Sequence, residues 1–169
     1  MDDNSQALGS TKKILLEQIQ AVLTSELEVL RTSARSARDA ATHADARAEN
    51  KYDTRGLEAS YLAGAQQARI AEIVSQQQVL SATVPRTFAA NAAIAATALV
   101  ELRTEAGGAD LYFLVAQGAG LRLAFDNRSV LVVTPQSPLG RMLIGKRTGA
   151  CVTINTAQGR KEYEIVSIR

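Results

Sequence analysis

The stretch LEQIQAVLTSELEVLRTSARSARDAATHADARA, residues 16–48, decides how the first half of the chain folds. Apolar or Ala positions recur at Leu16, Ile19, Leu23, Leu27, Leu30, Ala34, Ala37, Ala41, Ala44 and Ala48. Their spacing of three and four is the seam of a helix packed against another helix. No Pro or Gly interrupts residues 11–50. At a rise of ~1.5 Å per residue, one helix of about 60 Å is expected. Few globular helices are that long, so a coiled coil is favoured. The seam opens with Leu and Ile and ends in Ala, which predicts a slender far end.

A second helical stretch is predicted from Leu57 to Ser81, with Leu62, Ile70, Ile73, Val74 and Leu80 on its apolar side. Between the two lies Asn50-Lys51-Tyr52-Asp53-Thr54-Arg55-Gly56, rich in turn and cap residues. So short a connection returns the second helix antiparallel to the first. Residues 1–83 are therefore read as an antiparallel helical hairpin with its tip near 50–56. Pro85 ends the second helix, because the residue before a proline avoids helical backbone. Residues 84–97 are read as a linker, with a short helix expected over the Ala-rich Phe88–Ala96.

Beyond residue 98 the pattern changes to apolar runs of strand length. They are Ala98–Leu102, Leu111–Ala116, Leu121–Phe125, Val130–Val133, Cys151–Ile154 and Tyr163–Ile168. Turn residues separate them, and Asp126-Asn127 reads as a tight hairpin. Leu139–Gly145, after Pro135 and Pro138, is expected to form a helical turn or two. Residues 98–169 are thus a small antiparallel sheet with a short helix. The fold class is α+β.

Composition narrows the function. Apolar residues make up 46% and charged residues 21% of the 169, so the chain is not of the disordered class. The net charge of +2 is too small to argue for nucleic-acid binding. It is unevenly placed: residues 1–83 carry a net −2 and residues 84–169 a net +4, which suggests two partners or two faces of one. The single Cys151 excludes an internal disulfide and a multi-cysteine zinc site, and its apolar surroundings read as a buried, inert thiol. The polar start of the sequence reads as lacking a secretory signal, and no apolar run reaches membrane-spanning length. A reducing cytoplasm fits these features, with no membrane partner and no small-molecule substrate.

The run Ser137-Pro138-Leu139-Gly140-Arg141-Met142-Leu143-Ile144-Gly145-Lys146, with Tyr163-Glu164-Ile165-Val166-Ser167-Ile168 behind it, resembles the C-terminal domain of the bacterial Gre transcript-cleavage factors (GreA/GreB). The match is specific over about the last 35 residues and compatible back to about residue 98. Gre factors also carry an N-terminal antiparallel coiled coil, which heptad spacing gives here on its own. Glu49-Asn50 followed by Tyr52, with Arg69-Ile70, is similar to the family's tip region. The resemblance implies an FKBP-like C-terminal domain. It also implies an accessory factor, not an enzyme: the C-terminal domain sits at the rim of the RNA polymerase secondary channel and the coiled coil enters it. Tip carboxylates would there help hold a Mg²⁺ shared with the polymerase active site, close to the RNA 3′ end, and promote cleavage of backtracked RNA. No cofactor of the chain's own is implied. Ser137, Pro138, Leu139, Gly140 and Arg141 become candidate polymerase contacts by this resemblance. Ser137 as helix N-cap is an equally good structural reading.

At the tip, Asp45 and Glu49 are the candidates to assist catalysis, and Asp45, Glu49 and Asp53 the candidates to share the metal. Mg²⁺ takes hard oxygen ligands and usually only one or two carboxylates from one protein. Asp45 and Glu49 stand four apart and share a helix face. Against this, Arg47, Lys51 and Arg55 interleave with the acids, the pattern of a solvated helix face. The Gre pattern has an acid, two residues and then Glu-Asn. Here three residues separate Asp45 from Glu49, and one extra residue turns a helical side chain by about 100°. Tyr52 and Arg55 are further candidate contacts for polymerase. For Tyr52 and Tyr61, packing between the helices is the plainer reading. His43, the only histidine, reads as a surface residue.

Two other functions stay open at this stage. One is a secondary-channel regulator or competitor without cleavage activity. The other is a non-catalytic FKBP-like interaction module; aromatic residues are too few, at 4%, to line a prolyl-isomerase pocket.

Overall fold

The computed structural model describes residues 3–42, 55–89, 91–104, 107–156 and 159–169. The chain runs α1 (Asp3–Thr42), α2 (Arg55–Ser81), β1 (Leu99–Thr104), β2 (Ala109–Leu114), β3 (Arg122–Phe125), β4 (Arg128–Val133), α3 (Pro138–Leu143), β5 (Cys151–Thr156) and β6 (Gly159–Ile168). A helical region thus precedes a sheet domain, the α+β arrangement expected. Two compact units form: Met1–Gln20 with Val79–Arg169, and Ala21–Gln78.

The second unit holds most of the two long helices. Heptad spacing places Leu23 and Leu27 of α1 and Ile73 of α2 in its interior, and all three are buried. The helices run antiparallel. Gln77 Nε2 donates to Thr24 Oγ1 at 2.8 Å, and Arg69 Nη2 meets Glu26 Oε1 at 2.7 Å. Farther along, Ala63, Gly64 and Gln67 face Ala34, Ala37 and Arg38 across a shallow groove. Burial fades in that direction: Leu30 and Ala34 are half-buried and Ala37 is exposed. Leu62, expected on the apolar side, is 62% exposed.

In the first unit, six strands form one sheet in the order β3-β4-β2-β1-β6-β5. The expectation of a wholly antiparallel sheet needs one correction: β2 and β4 are parallel. The chain leaves β2 through residues 115–121, where Gly118 and Gly120 adopt positive φ, and goes to the sheet edge as β3. Asp126 and Asn127, at φ of 44 and 58, close the tight hairpin read from the sequence. A turn with both central residues at positive φ matches the twist of the flanking strands. It returns β4 between β3 and β2, alongside β2. On one face, Val100, Leu102, Tyr112, Leu114 and Ile165 form a core cluster with Leu143 of α3. The first turns of α1 belong to this unit as well. Ile19 packs so tightly on Gly118 that a Cβ there would lie 2.7 Å from its methyl group.

Two further expectations are corrected here. Phe88–Ala96 forms no helix among its described residues. Its backbone groups are engaged sideways: Ile94 N–H donates to Lys146 O at 2.8 Å, and Gly145 N–H to Ile94 O at 2.9 Å. Cys151 is exposed rather than buried. It opens the edge strand β5, where only the residues turned toward the core, such as Val152, are enclosed.

Candidate functional site

The predicted site residues fall in two places, the hairpin tip and the segment leading into α3. Asp45, Glu49, Tyr52, Asp53 and His43 lie outside the described residues. Arg55 opens α2.

The α3 segment is fully described, and its five candidates divide by role. Ser137 caps the helix: its Oγ accepts from Gly140 N–H at 3.0 Å and donates to Thr134 O at 2.7 Å. That satisfies an otherwise unpaired first-turn amide. Gly140 is buried, and a Cβ on it would stand 1.9 Å from Thr134 O, so the tight turn admits no side chain. Leu139 packs against the core cluster. Pro138 and Arg141 are exposed. Three of the five therefore build the segment, and two stand exposed on it.

The described part of the hairpin is set by polar links. Arg69 donates from Nε and Nη2 to Glu26 and from Nη1 to Glu72. These hydrogen bonds, the one to Glu26 first, raise the guanidinium pKa further. Arg69 thus joins the two helices. Tyr61, read from the sequence as helix packing, is instead 72% exposed. It turns outward, exposed like its neighbour Leu62.

Sequence reasoning missed three clusters. Lys12 is 1% exposed; its Nζ donates to Arg86 O at 2.6 Å and lies 4.6 Å from the centre of the Phe88 ring. Burial lowers its pKa to about 8. A signal existed, since stepping back four residues from Leu16 along the seam reaches Lys12. Gln18 holds the edge of β3, its amide accepting from Ala124 N–H at 3.1 Å and donating to Ala124 O at 3.0 Å. Glu101 gathers Arg128 at 3.0 Å, Ser167 at 3.2 Å and Arg169 at 3.4 Å. Burial opposes its ionisation, but the hydrogen bond and charge of Arg128, with Ser167 and Arg169, outweigh it and lower the carboxyl pKa. This last cluster spans β1, β4 and β6 and follows from strand order alone.

Comparison with known proteins supplies what geometry does not. Residues 94–169 match the family described as "Transcription elongation factor, GreA/GreB, C-term". Over 118 residues the chain is 33% identical to the "Transcription inhibitor protein Gfh1" of Thermus aquaticus, covering 69% of this chain and 71% of that protein. This chain belongs to the GreA/GreB family of transcription elongation factors. It is also 29% identical to the "Transcription elongation factor GreA" of Alkalilimnicola ehrlichii, over 96% of this chain and 94% of the relative. The crystal structure of Thermus aquaticus Gfh1 aligns with 88% of this chain and 92% of its own, at 24% identity and a TM-score of 0.38. Membership gives the Gre-family chain a role in transcription elongation, as an accessory factor. Among its described residues, no helix is long and apolar enough to cross a membrane, and no group of three or more His, Cys, Asp or Glu could hold a metal.

Proposed function

We propose that this Gre-family chain binds RNA polymerase, with its helical hairpin in the secondary channel and its C-terminal domain at the channel rim. The observation that carries the reading is an antiparallel helix pair whose seam thins from Leu27 to Ala37, in a chain of this family. A thin helix pair is the shape that can enter a narrow channel. Pro138 and Arg141, exposed on a segment held by Ser137 and Gly140, are the contacts proposed for the rim.

At the tip, Asp45 and Glu49, with Asp53, would hold Mg²⁺ jointly with the polymerase near the RNA 3′ end. Carboxylate oxygens are the ligand type this ion takes, and when bound it would activate water for hydrolysis of backtracked RNA. A second reading, a channel competitor without cleavage activity, is favoured by two observations. Asp45 and Glu49 are four apart rather than three, and the 33%-identical relative is named a transcription inhibitor.

The test is to add the chain to stalled elongation complexes at micromolar concentration and follow both comigration and transcript length. Comigration with shortened transcripts, lost in Asp45→Ala/Glu49→Ala while binding persists, supports the cleavage reading. Comigration without shortening selects the competitor. Failure to associate with polymerase removes both.

A further inference from the structure

The two edges of the sheet are treated differently by the rest of the chain. In an antiparallel ladder, alternate residues exchange both backbone bonds with the neighbouring strand, and those between turn theirs outward. On β3, Val132 N–H donates to Leu121 O at 2.8 Å, which makes Leu123 and Phe125 inward-bonded and turns Ala124 outward. Gln18 takes up both outward groups of Ala124. The β3 edge is also short, at 4 residues, and carries Arg122. It is closed.

The same parity applies to β5. Ile165 N–H donates to Ala150 O at 2.9 Å, so Val152 and Ile154 bond inward to β6. Cys151, Thr153 and Asn155 therefore turn N–H and C=O to the open edge. Among the described residues no hydrogen bond reaches those groups. Natural sheets protect edges with charge, proline or bulges. The strand Cys151-Val152-Thr153-Ile154-Asn155-Thr156 has no charge and no proline, and its register runs unbroken from Cys151↔Glu164 to Thr156↔Gly159.

What could cover this edge is set by its own sequence. Lay a second β5 antiparallel with Thr153 opposite Thr153. Cys151 then meets Asn155, and each outward pair can exchange two backbone bonds. Val152 falls opposite Ile154 on the core-side face, so apolar meets apolar on both sides of the axis. No charges oppose one another. One residue of slip in either direction would set inward-bonded groups at the seam and lose this match.

We infer that β5 is a homodimer seam: two copies of this chain pair β5 with β5 antiparallel about Thr153, extending one sheet through both. The inference is independent of the polymerase reading. A strand seam alone buries less than the ~1,000 Å² usual for stable interfaces, so the dimer is weak. Cys151 faces Asn155 rather than its own copy, so the dimer needs no disulfide.

Sedimentation equilibrium of the full chain under reducing conditions, from roughly 5 to roughly 500 µM, should show mass rising from monomer toward dimer. Thr153→Lys should stay monomeric, because two ammonium groups would meet at the axis. In the wild type, the Cys151, Thr153 and Asn155 amides should exchange about tenfold more slowly at the high concentration than at the low. That measurement decides the matter even if the variant fails to fold. A monomer across the whole range overturns the inference and leaves the edge to a strand of another protein. So does a dimer whose three amides exchange equally at both concentrations, or a folded Thr153→Lys that dimerises like the wild type.

Discussion

In the first unit the buried side chains are large: Phe113, Leu102, Leu114 and Ile165 are each fully enclosed. In the second, between Ala21 and Gln78, enclosure falls to Leu23, Leu27 and Ile73, and then to Ala positions while Tyr61 and Leu62 face solvent. Hydrophobic stabilisation scales with the apolar area removed from water. The sheet domain therefore carries the stability. The far part of the hairpin rests on helix propensity and close small-residue contacts. A thin element gives up stability for slimness, and the side chains it leaves uncovered are those a partner can use.

The contrast can be broken in graded ways. Ile165→Ala empties a site in the sheet core and should cost about 3–4 kcal/mol in denaturant unfolding. A loss below about 1 kcal/mol would show the core to be loosely packed. Gly140→Ala forces a methyl group against Thr134 O and should cost about 1–3 kcal/mol, seen as a lower midpoint with an unchanged slope.

Lys12 gives a pH signature. Its pKa is about 8 folded and near 10.5 unfolded, so between those values the unfolded chain holds a proton that the folded chain has released. Stability should therefore rise from pH 8 to pH 10, by about 1–2 kcal/mol relative to Lys12→Met, which lacks the group. Equal pH profiles would place the ammonium in water. Smaller still, Ala37→Gly on the exposed far helix should cost about 1 kcal/mol or less, read as lost helical circular dichroism. Smallest is Arg69→Met. Its side chain is 40% exposed, and ion pairs of such groups contribute about 0–1 kcal/mol.

How far the sequence could be read follows from which forces are local. The Leu16–Leu27 seam was legible because helical spacing repeats burial, and Asp126-Asn127 because both residues tolerate positive φ. Phe88–Ala96 misled, since Ala-rich composition favours helix while Lys146 and Gly145, some 50 residues on, claim its backbone. Cys151 misled because an apolar run does not reveal a strand's place at the sheet edge. The parallel β2–β4 pair and the Glu101 cluster depend on strand order, which periodicity does not encode. For the site, Ser137 as N-cap was readable from its position before Pro138. That Leu139 and Gly140 build the segment while Pro138 and Arg141 present it required packing. The tip carboxylates Asp45, Glu49 and Asp53 remain readings of the sequence.

The central claim is that the outward-facing part of the hairpin lies inside RNA polymerase. A photo-crosslinking amino acid in place of Tyr61, which is 72% exposed, tests it most directly. Irradiated with core polymerase at micromolar concentration, the full chain should crosslink to the subunits that line the secondary channel. A Pro138→Glu/Arg141→Glu companion should weaken that crosslink. Crosslinks confined to the outer surface of polymerase, or none while the chain remains bound, would contradict the account.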